Sequence, residues 1–329
     1  MAALRLTLAL GDYDHTRDVA HGVVRPEGIE LDWLNLPVEE IFFRFIKFRE
    51  WEVSEISFAK YASMLSQDDS SLVAIPVFVS RVFRHSSIYV RPNDVVQQPA
   101  DLRGKRIGVP EWAQTAAIYS RGFIVHELGI PLTAIEWVQA GVNQPGRVEK
   151  VALKLPDGLR YRVVAERSLN EMLLTGEIDA MLSARPPAAF ADGSGRIVRL
   201  YSRYRDAEEA YFKRTGIFPI MHVVALRRNV FDAYPWAAMN LYRAFNEAKE
   251  RSLARLADVT ASHAPLPWLG DYVARVRELF GDDPWPYGLE PNRRTLDAFL
   301  RFAFEQGICH RQVAAEELFP QQVLMTHKV

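Results

Sequence analysis

Segments with the alternation of a β-strand and segments with the periodicity of an α-helix follow one another along most of this 329-residue chain. The stretch LRLTLAL at 4–10 alternates leucine with small or polar residues, which predicts a strand. A second strand is predicted at 29–36, and VEEIFFRFIKFREW after it has a broad apolar helical face. Because sheets and helices that alternate along a chain pack in layers, this order predicts an α/β protein.

The chain contains no internal repeat and no Ser/Gly-rich linker, so a second domain must be joined by short, ordered crossings. A two-lobed fold like that of type II periplasmic binding proteins meets this condition, with a ligand cleft between the lobes. We expect lobe one to contain 1–85 and 224–329, and lobe two to contain 86–223. A hairpin insertion is predicted at 146–164, where RVEKVALKLPDGLRYRVV alternates on both sides of a Pro-Asp-Gly turn.

Charge, hydropathy and cysteine content exclude several classes of function. The formal net charge of −1 disfavours a nucleic-acid partner, and no apolar run is long enough to span a membrane. Cys309 is the single cysteine, so neither an internal disulfide nor a thiolate metal cage can form. The N-terminus lacks the pattern of a secretion signal, and we therefore expect a cytoplasmic protein. Aromatic residues in the C-terminal half leave a homo-oligomer open.

A run of polar and titratable residues follows the first predicted strand directly. The stretch GDYDHTR at 11–17 contains Tyr13, Asp14, His15 and Arg17. Since the loop after the first strand faces the cleft in a two-lobed fold, we expect these residues to form one wall of an anion-binding site that also handles protons. The alternative is that Asp12 or Asp14 caps a short helix and that the other side chains are solvated.

Three cationic or titratable residues lie where the chain is expected to cross between the lobes. FVSRVFRHSSIYV places Arg81, Arg84 and His85 within five positions of a strand-rich stretch. We expect them in the cleft, with exposed edge charges as the alternative.

Polar residues are expected at three further points of the cleft wall. Ser54 and Glu55 are predicted at a helix start after the third strand, and Gln114 and Thr115 at the N-terminus of another helix, with simple helix capping as the alternative for both pairs. His222 lies in the apolar strand FPIMHVVALRR, where a lone histidine is more often a core residue. Its predicted position at the return crossing favours a functional role, so three histidines are expected to converge on the cleft.

The same residues lie in stretches that resemble the 4,5-dihydroxyphthalate decarboxylase family. In chain order these are GDYDHTR, VSEISFAKY, IPVFVSRVFRHSSIYV, DLRGKRIGVPEWAQTAAIYSRG, LLTGEIDAMLSARPP, TGIFPIMHVVALRR and DPWPYGLEPNR. FRHS and GIFPIMH are the most specific, whereas GEIDA is shared with many solute-binding proteins. The resemblance implies a periplasmic-binding-protein-like fold without a secretion signal. It also implies decarboxylation of 4,5-dihydroxyphthalate, or of a closely related hydroxylated aromatic acid, to protocatechuate and CO2.

Such a reaction needs a general acid over the ring and a base or cation near the hydroxyls. We expect His222 to be the proton donor, with His85 as the second candidate. Asp14 is expected to orient His15 as a carboxylate–imidazole pair beside the hydroxyls.

The remaining predicted residues are assigned to binding the small aromatic dicarboxylate. Arg81 and Arg84 are expected to hold the retained carboxylate. Arg17 and Thr115 are expected to contact other polar groups, and Tyr13 is assigned to the same substrate-binding set. Glu55 either binds a hydroxyl or repels the anion.

No organic cofactor is expected, because the substrate ring itself accepts the electrons. A divalent metal is the rival feature, and Asp14, His15, Glu55 and His222 would be its ligands if they met in space. Nothing in their spacing requires such a site, and we therefore expect no metal.

A binding protein without catalysis is the competing class. It would capture an aromatic or thiamin-precursor-like anion in the same fold and the same cleft. The missing secretion signal and the three predicted cleft histidines favour the enzyme.

Overall fold

Two mixed β-sheets with helices packed around them make up the architecture of the computed structural model, which describes residues 3–324. The strands of the described chain are β1 (Leu4–Ala9), β2 (Ile29–Leu34), β3 (Val53–Ser57), β4 (Leu72–Arg81), β5 (Ile88–Val90), β6 (Arg106–Val109), β7 (Glu136–Gly141), β8 (Arg160–Ser168), β9 (Ala180–Leu182), β10 (Val198–Arg199) and β11 (Ile220–Arg227). The α-helices of the same residues are α1 (Arg17–Ala20), α2 (Val38–Phe48), α3 (Phe58–Ser66), α4 (Thr115–His126), α5 (Leu169–Thr175), α6 (Ala188–Ala191), α7 (Tyr204–Thr215), α8 (Arg228–Ala233), α9 (Trp236–Ala257), α10 (Leu269–Phe280), α11 (Arg293–Glu305) and α12 (Gln321–Leu324).

The first sheet has the strand order β2-β1-β3-β11-β4. β1 is parallel to β2 and β3, whereas β11 is antiparallel to β3 and β4. β1 forms where Leu6 and Leu8 alternate with outward residues, as the sequence predicts. β3 lies in the middle of the sheet and is buried along its whole length.

The second sheet has the order β10-β5-β9-β6-β7-β8, with β9, β6, β7 and β8 parallel to one another. The chain crosses to it between β4 and β5 and returns between β10 and β11. The predicted α/β two-lobed arrangement is therefore confirmed. The lobe limits 1–85 with 224–329 and 86–223 stay a prediction, and the limit after 223 falls inside β11. No helix within residues 3–324 is long and apolar enough to cross a membrane.

The predicted hairpin at 146–164 is wrong. Residues 147–159 form no strand, and β8, which follows them, pairs in parallel with β7. The alternation before the Pro-Asp-Gly turn arises because Val151, Leu153 and Leu155 pack against the core as an extended strap. The backbone N–H of Lys154 donates to the carbonyl of Gly307 at 2.8 Å, so the strap pairs with a distant loop instead of with a second strand.

The predicted helix start at Ser54 and Glu55 is also wrong. Both residues lie within β3, and the following helix α3 begins at Phe58. Glu55 lies opposite Val224 of β11 and is fully buried. A glutamate is tolerated in this strand because a neighbouring backbone N–H and a tyrosine hydroxyl satisfy its carboxylate, as described below.

Candidate active site

A cavity of about 450 Å³ lies between the two sheets, within the range of small-molecule sites. The first sheet and its helices contribute the start of α2, the β3–α3 junction, the end of β4, and β11. The second sheet and its loops contribute 110–116 at the start of α4, residues of 142–150, and Ser183–Arg185. We call this cavity the cleft.

A carboxylate–imidazole pair lies at the wall of the cleft. His222 of β11 lines the cavity, and its Nδ1 is 3.3 Å from Oε2 of Glu55. The Glu55 side chain is fully buried, whereas 18% of the His222 side chain is exposed. Phe42 of α2 packs edge-on against the imidazole, with ring centroids 4.8 Å apart. His222 is thereby held on two sides while it keeps contact with the cavity.

Gly11 and Tyr13 complete the surroundings of Glu55. The backbone N–H of Gly11 donates to Glu55 Oε1 at 2.9 Å, and the Tyr13 hydroxyl donates to Oε2 at the same distance. A Cβ atom at position 11 would lie 3.2 Å from Glu55 Oε1, so the close approach favours glycine. Burial and the adjacent carboxylate raise the pKa of Tyr13, which keeps its hydroxyl protonated as a donor.

This arrangement suits proton transfer from the cleft-facing side of an imidazole. Glu55 lies at Nδ1, and the Nε2 atom of His222 forms no hydrogen bond within residues 3–324. A buried carboxylate beside Nδ1 can accept the Nδ1 proton in a hydrogen bond, which sets the tautomer and the orientation of the ring. The Glu55–His222 pair can therefore deliver a proton to a molecule bound in the cleft.

The cleft carries an excess of positive charge. Its lining includes five cationic side chains, Lys60, Arg84, Arg147, Lys150 and Arg185, against the two carboxylates Glu39 and Glu111. Such a lining favours an anionic ligand.

The two carboxylates already have cationic partners. Glu39 forms a 2.6 Å ion pair with Arg185, which joins α2 to a loop of the second sheet across the cleft. Arg147 lies 2.6 Å from Glu111 Oε1, and Lys150 lies 3.7 Å from the same atom.

Among the cations of the cleft, Arg84 is best suited to bind an anion, because it is buried and one of its nitrogen atoms has no hydrogen-bond partner among the described residues. Its Nη2 atom lies 2.8 Å from the sulfur of Met221, and its buried Nε has no partner among the described residues. Burial lowers the pKa of Arg84 to about 10, because the charged form is poorly solvated. A bound carboxylate would supply the missing hydrogen-bond acceptors.

Thr115 lines the cleft where the two sheets' helices meet. Its Oγ1 lies 3.0 Å from the Ser57 hydroxyl and accepts from the backbone N–H of Ala59 at 3.1 Å. These bonds join the starts of α3 and α4 across the cleft. Thr115 therefore positions two helix N-termini at the cavity, and its oxygen is engaged with protein groups.

His85 does not line the cleft. Its ring packs among Phe123, Tyr201 and Tyr211, with centroid distances of 4.3, 5.4 and 5.1 Å. Burial, with a smaller contribution from the Arg214 charge, lowers its pKa to about 4, so the ring is neutral near pH 7. The expected convergence of His85 with His222 is wrong, because the aromatic side chains enclose His85.

Arg81 is also outside the cleft lining. Its guanidinium donates to the carbonyl oxygens of Phe218 and Pro286 at 3.2 and 2.8 Å, and to the side-chain amide oxygen of Asn292. These contacts attach the C-terminal segment to β4, so Arg81 contributes to the packing of the first sheet's surroundings.

His15, Asp14 and Arg17 lie away from the cleft lining as well. His15 and Asp14 border a second cavity of about 430 Å³, and the His15 ring packs against Trp285 at 5.1 Å. Asp14 accepts from the Ser252 hydroxyl at 2.5 Å, and Arg17 is exposed near Asp12 and Asp14. The expected Asp14–His15 hydrogen bond is absent within residues 3–324. Of the polar run after β1, Tyr13 is the predicted residue that reaches the site, through Glu55.

The four proposed metal ligands do not come together. Glu55 and His222 are adjacent, but Asp14 and His15 border the other cavity. In the described part of the chain, no group of three or more His, Cys, Asp or Glu side chains could hold a metal ion.

Sequence reasoning missed several charged residues of the cleft. Lys60 lies in the first turn of α3, within the otherwise apolar stretch FAKYA. A lysine in such an apolar stretch could have identified this residue as a functional candidate from the sequence. Arg147 and Lys150 were not considered as cleft residues because they fall within the hairpin predicted at 146–164. Glu111 and Arg185 lie in loops, where the linear pattern carries no sign of their meeting.

The two sheets and the cleft between them give the chain a fold like that of periplasmic binding proteins. The Escherichia coli periplasmic aliphatic sulphonate binding protein SsuA has a similar fold, with a TM-score of 0.56 and 13% identity over 98% of this chain and 99% of that one. No family model matches the chain.

Two curated relatives are more informative about the family. The 4,5-dihydroxyphthalate decarboxylase of Comamonas testosteroni is 36% identical over 330 residues, which cover 100% of both chains. The Pseudomonas putida protein of the same name is 35% identical over 214 residues, or 65% of this chain and 83% of that protein. This chain belongs to the 4,5-dihydroxyphthalate decarboxylase family, as the sequence motifs predict.

Proposed function

We propose that this protein removes one carboxyl group from 4,5-dihydroxyphthalate and releases protocatechuate and CO2. The observation that carries the proposal is the 36% identity to a decarboxylase of that name over the full length of both chains. The cationic cleft supports it independently, because the substrate is a dianion with one aromatic ring. The enzyme is a carboxy-lyase.

The reaction needs a proton at the ring carbon that loses the carboxylate. That carbon lies para to a hydroxyl, whose oxygen pushes electron density towards it. Protonation of this carbon gives a non-aromatic intermediate, and cleavage of the C–C bond to CO2 then restores the aromatic ring. One proton is consumed for each CO2 released.

In our proposal His222 supplies this proton. Its Nε2–H would transfer the proton to the ring carbon, and water would restore it after product release. Glu55 accepts at Nδ1 and holds the imidazole ring in position, and the Tyr13 hydroxyl donates to the Glu55 carboxylate. Glu55 thus acts through His222, in place of the direct hydroxyl contact that the sequence suggested.

Arg84 holds the retained carboxylate in this proposal. Its unsatisfied Nε and its burial support that role, since a carboxylate can accept two parallel hydrogen bonds from a guanidinium. Thr115 keeps α3 and α4 at the cleft. Arg81, His85, His15, Asp14 and Arg17 are given no part in the chemistry because of their positions.

We further propose that the protein works in the cytoplasm without an organic cofactor or a metal ion. The single cysteine is compatible with a reducing compartment, and cell fractionation would test the location. The substrate's own ring accepts the electrons, and chelation tests the need for a metal. A homo-oligomer stays a prediction that light scattering can address.

The decisive experiment incubates chelator-treated protein with 4,5-dihydroxyphthalate and follows protocatechuate by chromatography. His222→Gln is compared with His263→Gln, a matched change at an exposed histidine. We expect product from the wild type and from His263→Gln, and a loss of about 10²–10⁴ in rate for His222→Gln.

Two results would contradict the proposal in different ways. Equal rates for both variants would remove His222 from the proton-donor role and leave the enzyme. No product even after divalent metal is restored, together with a ligand-dependent rise in melting temperature, would identify a binding protein instead.

A further inference from the structure

Lys60 occupies an unusual position for a lysine in this protein. It lies in the first turn of α3 and lines the cleft, yet only 9% of the residue is exposed. Ser57, which precedes the helix, pairs with His222 in the first sheet. Because a helix rises about 1.5 Å per residue, Lys60 is within one turn of the strand position beside His222. Lys60 and His222, the proposed proton donor, therefore line the same cavity.

Among the described residues, no carboxylate forms a hydrogen bond with the Lys60 ammonium group. Glu111 Oε2 is 3.9 Å from Nζ, which is too far for a hydrogen bond. The other oxygen of Glu111 is held by Arg147 at 2.6 Å. Within residues 3–324, the Lys60 side chain donates no hydrogen bond that would prevent it from contacting a ligand.

Burial also favours the neutral amine. Desolvation lowers the pKa of Lys60, opposed by the nearby charge of Glu111. The neutral amine of such a lysine is easier to reach than that of a surface lysine, and it can accept a proton. After it has accepted one, the Glu111 carboxylate stabilises the resulting charge.

We propose that Lys60 accepts the proton of the ring hydroxyl para to the departing carboxylate and then holds the phenolate. This inference rests on the proposed decarboxylation. In that proposal His222 protonates the ring and Arg84 binds the retained carboxylate, and Lys60 now accounts for activation of the hydroxyl that donates electrons. The same contact selects for a hydroxylated ring over phthalate itself.

The proton and electron balance closes without a further reactant. The hydroxyl O–H bond breaks, the proton passes to the Lys60 amine, and the oxygen electrons move into the ring. His222 then protonates the para carbon, and the C–C bond electrons restore the aromatic ring as CO2 leaves. Lys60 returns its proton to the phenolate oxygen, so that the net change is one proton from His222 to the ring.

The test compares Lys60→Met and Lys60→Arg with Lys213→Met, a control on an exposed position of α7. Three quantities are measured: kcat/KM from pH 5 to 10, the melting-temperature rise with protocatechuate, and the rise with phthalate, which has no hydroxyl. Unliganded melting temperatures check the folding of each variant.

We expect Lys60→Met to lose about 10²–10³ in kcat/KM. In the wild type kcat/KM rises with pH as Lys60 loses its proton, and this acid-side rise should disappear in Lys60→Met. Its response to protocatechuate should weaken while its response to phthalate stays unchanged. Lys60→Arg should regain the protocatechuate response but not the rate, since arginine keeps its proton.

Three results would overturn the inference and keep the decarboxylase. These are a Lys60→Met rate within threefold of the wild type, full recovery of the rate in Lys60→Arg, or an equal loss of both ligand responses, which would indicate a general anion contact. Absence of turnover in the wild type would instead overturn the proposed function, and this step with it.

Discussion

The cleft and the cavity beside α10 have nearly equal volumes, about 450 and 430 Å³, but opposite linings. The cleft collects five cations around a Glu55-paired histidine. The cavity beside α10 is lined mainly by aliphatic and aromatic side chains, with Asp14 and His15 at its border. A polar cluster in the sequence and a cavity of suitable size are therefore insufficient to define an active site.

The two cavities differ in how the charged groups of their linings are buried and paired. In the cleft, Arg84 and Lys60 are largely buried and have no hydrogen-bonded carboxylate within residues 3–324, so their charged forms are poorly solvated and a bound anion would stabilise them. Beside α10, the Asp14 carboxylate has a hydroxyl and guanidinium groups for partners. The chemistry of the site follows from buried charges that the protein leaves for a ligand.

Among the changes that compare the two cavities, replacing Arg84 of the cleft should have the largest effect. Arg84→Met removes the proposed carboxylate anchor, and we expect kcat/KM to fall about 10²–10³-fold, since breaking a buried charge pair costs about 2–5 kcal/mol. Steady-state assays measure the loss of kcat/KM, and the rise in melting temperature with phthalate measures the loss of anion binding. Arg277→Met, in the α10 cavity, is the control and should stay within twofold; similar losses in both variants would refute the distinction.

Removing the charge of Glu55 should have the next largest effect. In Glu55→Gln the side chain keeps its volume, but a carboxylate no longer holds the tautomer and orientation of the His222 ring, and kcat should fall about 10–100-fold. Single-turnover assays separate this chemical step from substrate binding. Asp282→Asn changes a carboxylate beside α10 in the same way. A kcat for Glu55→Gln equal to that of this control would exclude the positioning role.

His15 should affect stability in acid. Burial lowers its pKa from 6.5 to about 4, so below pH 6.5 the unfolded chain binds a proton that the folded protein does not. Stability is therefore lost as pH falls from about 6.5 towards 4, by about 2 kcal/mol at pH 5. Denaturant unfolding should show a smaller loss between pH 7 and pH 5 for His15→Gln than for the wild type. The same loss in both proteins would mean that His15 is solvated.

Filling the cavity beside α10 should have the smallest effect. Val276→Phe places extra apolar volume against aromatic and aliphatic neighbours, and kcat/KM should stay within twofold of the wild type. The decarboxylation assay measures it. A rate loss of tenfold or more, with an unchanged melting temperature, would show that this cavity communicates with the cleft.

Much of the fold could be predicted because local periodicity encodes single elements. The alternating leucines of β1, the apolar face of α2 and the strand around His222 are found where the pattern places them. The stretch 147–159 shows the limit, since an extended strap against a core alternates like a hairpin strand. Its true partner is the loop at Gly307, which is too distant in sequence for a local pattern to reveal.

The sequence by itself determined the α/β order, the two-lobed arrangement and the family, and it identified His222, Arg84 and Thr115 at the cleft. Tertiary structure decided the role of each titratable group. His222 and His85 have the same side chain, but the pairing of β11 with β3 brings Glu55 to one, whereas aromatic rings enclose the other. Burial and charge pairing depend on contacts between distant segments, and those contacts set the chemistry of a side chain.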